Sequence, residues 1–160
     1  MLEVGVGKGE NLGYYRKANR VRSVEPDPRR ADDARQSGDA ASVRVSVEIA
    51  TAEHLPYADN SFDQVVCSLV FCSVSDQREA LSEISRVMRP EGTLHMVEHV
   101  RPGNPLLARL TEVLTPWWSQ IAYNCHLDRP TIDLLRQENW DVDVHRRLAV
   151  FVRVSATIPN

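Results

Sequence analysis

The chain has 160 residues, 42% of them hydrophobic and 26% charged, with a formal net charge of −3. This length predicts one domain, 1–160, around a single core, and the lack of a basic excess argues against nucleic acid as a partner. No run approaches the roughly 18 apolar residues of a membrane span, the start has no signal-peptide core, and three irregularly spaced cysteines fit a reducing, cytoplasmic setting.

In chain order, short β-rich runs alternate with segments of helical period. Strands are expected at Met1 to Val4, Val21 to Glu25, Val43 to Ile49, Phe62 to Leu69, Thr93 to His99, Val142 to Leu148 and Phe151 to Thr157. Such alternation predicts parallel strands joined by helical crossovers, giving an α/β, doubly wound, seven-stranded and mostly parallel sheet with helices on both faces. The polar stretch Asp27 to Ser42 reads as a helix with flanking loops. From Asp76 to Met88 an apolar stripe of Ala80, Leu81, Ile84, Val87 and Met88 follows an Asp76/Glu79 capping box. That helix stops at Pro90-Glu91-Gly92, with Gly92 as the expected left-handed residue. A second stripe, Leu106, Leu107, Leu110, Val113 and Leu114, predicts an amphipathic helix ending near Pro116, and a last helix opens at Pro130 and runs to about Asn139. Trp117 and Trp118 are expected to pack in the core, with an apolar substrate wall or a membrane surface as the other reading.

Three of the seven glycines, Gly5, Gly7 and Gly9, crowd behind the first strand, where a backbone must turn sharply or approach a ligand closely. Glu25, at the end of the second strand, supplies the acidic residue that such cofactor loops need about 20 positions on, where it can accept hydrogen bonds from ribose hydroxyls. The dinucleotide fingerprint counted from Gly5 requires glycine at position 10, which is Glu10 here. A carboxylate repels pyrophosphate but suits the sulfonium and ammonium of S-adenosylmethionine, so a nicotinamide-dependent oxidoreductase becomes the weaker reading.

Four segments then fall in a telling order: Leu2-Glu3-Val4-Gly5-Val6-Gly7-Lys8-Gly9, Val24-Glu25-Pro26-Asp27, Ala52-Glu53-His54-Leu55-Pro56-Tyr57-Ala58-Asp59-Asn60-Ser61-Phe62-Asp63, and Met88-Arg89-Pro90-Glu91-Gly92-Thr93-Leu94. Together they resemble the motifs of the Rossmann-like S-adenosylmethionine-dependent methyltransferases, from the first residue to about His99. The resemblance implies that Glu3, Gly5, Gly7 and Gly9 surround the methionine part of the cofactor. It likewise implies that Glu25 binds the ribose, that Pro26, Ala52 and Glu53 flank the adenine, and that Ser68 and Leu69 line the methyl donor. Members of this family normally carry helices before the first strand; none precedes it here, so the expected fold lacks that N-terminal cover and the chain reads as N-terminally truncated. Lys8 departs from the small residue usual in the first motif and is compatible with a cationic cofactor only if it points to solvent.

Glu98-His99-Val100-Arg101 and the later Tyr123-Asn124-Cys125-His126-Leu127 resemble a branch that contains bacterial phospholipid N-methyltransferases and methyltransferase-like thiol methyltransferases, with wider similarity to quinone-biosynthesis C-methyltransferases. The resemblance implies methyl transfer to a small, lipophilic acceptor; Trp117 and Trp118 after an amphipathic stretch suit peripheral membrane contact, and the missing cover suits a lid borrowed from a partner, as in a homo-oligomer. His99 is the best placed catalytic base, at the end of the fifth strand. No metal is expected, because Cys125 and His126 lack further ligands at a recognisable spacing. The other reading is a methyltransferase-like domain that binds the cofactor without turnover.

Overall fold

The computed structural model describes residues 1–159. Seven strands form one sheet in the order β3-β2-β1-β4-β5-β7-β6. They are β1 (Leu2–Val4), β2 (Arg20–Val24), β3 (Arg44–Glu48), β4 (Phe62–Ser68), β5 (Met88–His99), β6 (Asp141–Leu148) and β7 (Phe151–Thr157). The first five run parallel, while β7 inserts antiparallel between β5 and β6. The expected doubly wound, mostly parallel sheet is therefore observed, with its strand order reversing between β1 and β4.

Four helices accompany the sheet: α1 (Pro28–Asp39), α2 (Gln77–Val87), α3 (Pro105–Ile121) and α4 (Thr131–Gln137). Alternation along β2 explains how both faces are covered. Val24 joins the larger buried cluster with Leu81, Ile84 and Leu135, whereas Val21, on the opposite face, joins a smaller one with Ala31 and Ala34 of α1. Asp27 caps α1 by accepting from the amides of Arg29 and Arg30, and Asp76 caps α2 by accepting from Arg78 and Glu79. The reciprocal half of the expected capping box is filled differently: the Asp76 amide donates to Glu53, 3.2 Å away, instead of to Glu79.

Four expectations need correction. β5 begins at Met88, because Phe62 pairs with Met88 and Gln64 with Thr93, so the Pro90 turn bulges from within the strand. Gly92 is not among the residues with positive φ; a side chain there would meet Met88 Cγ at 2.5 Å, so the glycine serves close approach. The helix α3 runs on through Pro116 and turns its leucines outward. Its buried residues are Ala108, Thr111 and Thr115, and the two threonine hydroxyls are satisfied by carbonyls of the preceding turn, at 2.8 and 2.7 Å. Trp117 is 75% exposed and Trp118 40% exposed, so neither is a core residue.

Candidate active site

The register of the parallel strands levels their carboxyl ends: Val4 pairs with Val24 and Cys67, Val24 with Glu48, and Ser68 with Val97. The residues that follow these ends surround a cleft of about 930 Å³ at the point where strand order reverses, the usual ligand position in such sheets.

At one end of the cleft the glycine loop is already held in place. The amides of Gly5 and Val6 both donate to Val24 O, at 2.9 and 3.1 Å, and the Gly7 amide donates to Glu25 Oε2 at 3.0 Å. Gly5 has φ +67°, and a β-carbon there would lie 2.6 Å from Val70 Cγ2, so only glycine brings this backbone to the cleft floor. Glu25 is buried, accepts also from the Asp27 amide at 3.3 Å, and lies 3.6 Å from Arg30 Nε. Lys8 points away from the cleft toward Asp33, 3.6 Å off, so its charge does not oppose a cationic ligand.

Gly5, Gly7, Glu25, Pro26, Ala52, Glu53, Ser68, Leu69 and His99 all line this one cleft. Glu3 and Gly9 do not. Glu3 is fully buried behind the loop, where its Oε1 accepts from Asn11 at 2.9 Å and its Oε2 has no hydrogen-bond partner. Burial pushes its carboxyl up to about 7 against the lowering effect of that bond. Glu53 reaches both the Ser75 and Asp76 amides, at 2.8 and 3.2 Å, joining the cleft wall to the start of α2.

The opposite end is built by residues that spacing did not reveal. Glu98 is buried beneath the loop after β4, accepting from the amides of Val70, Phe71 and Cys72 at 2.8, 3.0 and 3.3 Å. Burial raises its carboxyl to about 7, with the three backbone donors pulling the other way. Leu69, which opens this loop, takes a left-handed φ of +58°, a strained conformation of the kind concentrated at functional sites. His99 packs against Phe151 with ring centroids 4.5 Å apart and places Nδ1 3.2 Å from Cys125 Sγ. Cys72 lies in the same group, its Sγ within 4.8 Å of the Cys125 Sγ and the His99 ring nitrogen. The interaction of the two thiols holds Cys125 low and drives Cys72 high, with burial adding to the rise at Cys72 and His99 assisting the fall at Cys125. Trp118, Ala122 and Tyr123 close this end, and Arg30 sits 5.0 Å over the Tyr123 ring, linking the two sides of the cleft.

The lining chemistry selects among cofactors. Glu10, Glu25, Asp27 and Glu53 face the cleft with Arg30 as the one Lys or Arg side chain among the described lining residues. The glycine loop leads into a single 3₁₀ turn, Leu12–Tyr14, so it offers no α-helix N-terminus to a pyrophosphate. Both features fit a sulfonium ligand and disfavour a dinucleotide.

Comparison with known proteins agrees with this geometry. Residues 2–96 match the family described as methyltransferase domain. The chain belongs to that methyltransferase family. Thiol S-methyltransferase TMT1B of Rattus norvegicus is 38% identical over 136 residues, which are 82% of this chain and 55% of the relative. Demethylmenaquinone methyltransferase of Deinococcus radiodurans is 34% identical over 109 residues, covering 66% of this chain and 45% of that protein. A crystal structure of an S-adenosylmethionine-dependent methyltransferase, possible histamine N-methyltransferase, from Thermotoga maritima superposes with a TM-score of 0.73 at 25% identity, over 99% of this chain and 81% of that one. This chain thus spans about half the length of the curated relatives it matches. As a methyltransferase domain it takes S-adenosylmethionine as cofactor, and the acidic cleft with its close glycine backbone fits that molecule.

Proposed function

We propose that the protein transfers a methyl group from S-adenosylmethionine to a small, lipophilic thiol. The observation that carries this reading is one continuous cleft whose acidic, glycine-lined end leads to an imidazole beside apolar walls. Glu25 receives the ribose hydroxyls: a carboxylate has about four acceptor sites, and the Gly7 and Asp27 amides occupy two of them. Pro26, Ala52 and Glu53 flank the adenine, while Gly5 and Gly7 with Ser68 and Leu69 surround the methionine and methyl region. Glu3 and Gly9 act from behind as positioning residues for the loop.

When bound, the cofactor supplies an activated methyl group, so an acceptor lone pair forms the new S–CH3 bond as the bond to the sulfonium breaks. The protein's share is alignment, exclusion of water and removal of the thiol proton. His99 serves that last purpose from the cleft wall, and Leu69, Val74 and Trp118 give the acceptor an apolar berth. Similarity to a thiol S-methyltransferase supports sulfur as the acceptor atom. The outward apolar side of α3, the helix that contributes Trp118, supports contact with a lipid surface as the route of a lipophilic acceptor. Vesicle flotation tests that contact, and a sedimenting homo-oligomer that masks the same side is the competing result. No helix among the described residues is long and apolar enough to cross a membrane. The three free cysteines suit a reducing, cytoplasmic setting.

The test offers the reduced protein methyl-labelled S-adenosylmethionine with an aliphatic thiol, a demethylquinone and a primary amine. Labelled thioether as the main product is expected. Tight cofactor binding with no product from any acceptor would establish the non-catalytic binding domain instead.

A further inference from the structure

Cys72, His99 and Cys125 come from three separate segments: the loop after β4, the end of β5 and the turn after α3. Each offers one ligand atom, and these atoms lie within 4.8 Å of one another. All three residues line the cleft. The arrangement is fixed by backbone ties between the loops: the His126 amide donates to Cys72 O at 2.7 Å, and Asn124 Nδ2 donates to Ser73 O at 2.9 Å. From below, Glu98 fixes the Cys72 amide at 3.3 Å. The cysteines are free, so their approach is not the product of a disulfide.

We infer that Cys72 Sγ, Cys125 Sγ and His99 Nδ1 bind one zinc ion, leaving a fourth position that opens on the cleft and takes the sulfur of the acceptor. A tetrahedral site with Zn–S of about 2.3 Å and Zn–N of about 2.0–2.1 Å needs ligand atoms roughly 3.4–3.8 Å apart. The observed His99 to Cys125 separation of 3.2 Å is a few tenths of an ångström short of this, and the 4.8 Å bound for the trio exceeds it by about 1 Å, changes within rotamer reach. Three protein ligands and one open position are the pattern of catalytic rather than structural zinc. Two thiolates neutralise the ion, and the charge brought by an acceptor thiolate is offset by Arg129, whose guanidinium donates to Phe71 O and Val74 O at 2.8 and 2.7 Å beside Cys72.

This inference rests on the methyl-transfer reading only for the identity of the fourth ligand. With the metal held, His99 acts as a ligand and no longer as the base: the acceptor S–H bond breaks on coordination, its proton leaves to water, and its sulfur keeps the lone pair that receives the methyl group. Zinc stays divalent throughout, and the thioether, a weaker ligand, departs.

The test adds cobalt(II) to the reduced, metal-free full chain. The expected result is thiolate-to-cobalt charge-transfer absorption that saturates at one equivalent and is displaced by one equivalent of zinc. Cys72→Ser and Cys125→Ser should each weaken binding more than about 100-fold, beyond the 10–100-fold typical of losing a partner outside the ligand set, while Cys67→Ala should leave it intact. Ethanethiol should strengthen the charge-transfer band. Absence of the band at one equivalent, its survival in the Cys72→Ser/Cys125→Ser double variant, or indifference to ethanethiol overturns the inference. Should the serine variants not fold, zinc-edge X-ray absorption of the unmodified protein decides: two sulfurs at about 2.3 Å and one nitrogen at about 2.0–2.1 Å are required. Calorimetry of S-adenosylmethionine with the metal-free protein tests the methyl-transfer reading separately.

Discussion

Replacing Glu98 with glutamine should change how stability depends on pH. Burial pushes this carboxyl up to about 7 from its ordinary value of 4.5. Its native form therefore binds more protons than the unfolded chain between those values, so its contribution is complete below about pH 4.5 and is lost as pH rises through 7. At roughly 1.4 kcal/mol per unit, the part lost between about pH 5 and pH 8 is about 2–3 kcal/mol. Glutamine cannot ionise and keeps an acceptor for the Val70 and Phe71 amides, which share Glu98 Oε1 at 2.8 and 3.0 Å. Urea unfolding of both proteins across this range should show the unmodified chain losing about 2–3 kcal/mol relative to Glu98→Gln. The comparison matters because His95, held low by burial, gives an opposite slope that both proteins share. Parallel curves would refute the reasoning. Glu98→Ala should instead cost about 3 kcal/mol or more at every pH, since three buried backbone amides lose their acceptor.

Glu25→Ala should weaken S-adenosylmethionine binding by about 1.5–3 kcal/mol in calorimetry, through lost charge-assisted hydrogen bonds; unchanged affinity would remove the ribose from this carboxylate. Gly5→Ala, which combines a positive φ with a contact of 2.6 Å to Val70, should lower stability by about 1–3 kcal/mol, read as a lower Tm. Trp117→Ser should alter unfolding free energy by no more than about 0.5 kcal/mol, because the indole is exposed; a larger loss would restore it to the core.

Strand positions were legible because a buried parallel strand needs a short apolar run bounded by turns, as at Phe62–Ser68. The place of Gly5, Gly7 and Glu25 at the cleft was legible because it depends on local spacing. In α3, periodicity identified a helix but not the side it buries: small Ala108 and two self-satisfied threonines pack inward while the leucines face out. The role of Glu53 at the start of α2 was hidden because its partners, Ser75 and Asp76, lie on another segment. The cluster of Cys72, His99 and Cys125 left no spacing signal for the same reason, since the sheet topology brings its members together.

The glycine loop is anchored by the chain's own groups, Val24 O and the Glu25 carboxylate, and Ser37 of α1 steadies it further by donating to Lys8 O at 2.8 Å. Its ordering entropy, roughly 1–2 kcal/mol per residue for the backbone, is therefore met during folding and not on association. Such preorganisation makes the loop a shared liability, because a substitution that loosens it must reduce the stability of the empty protein as well as its hold on the cofactor.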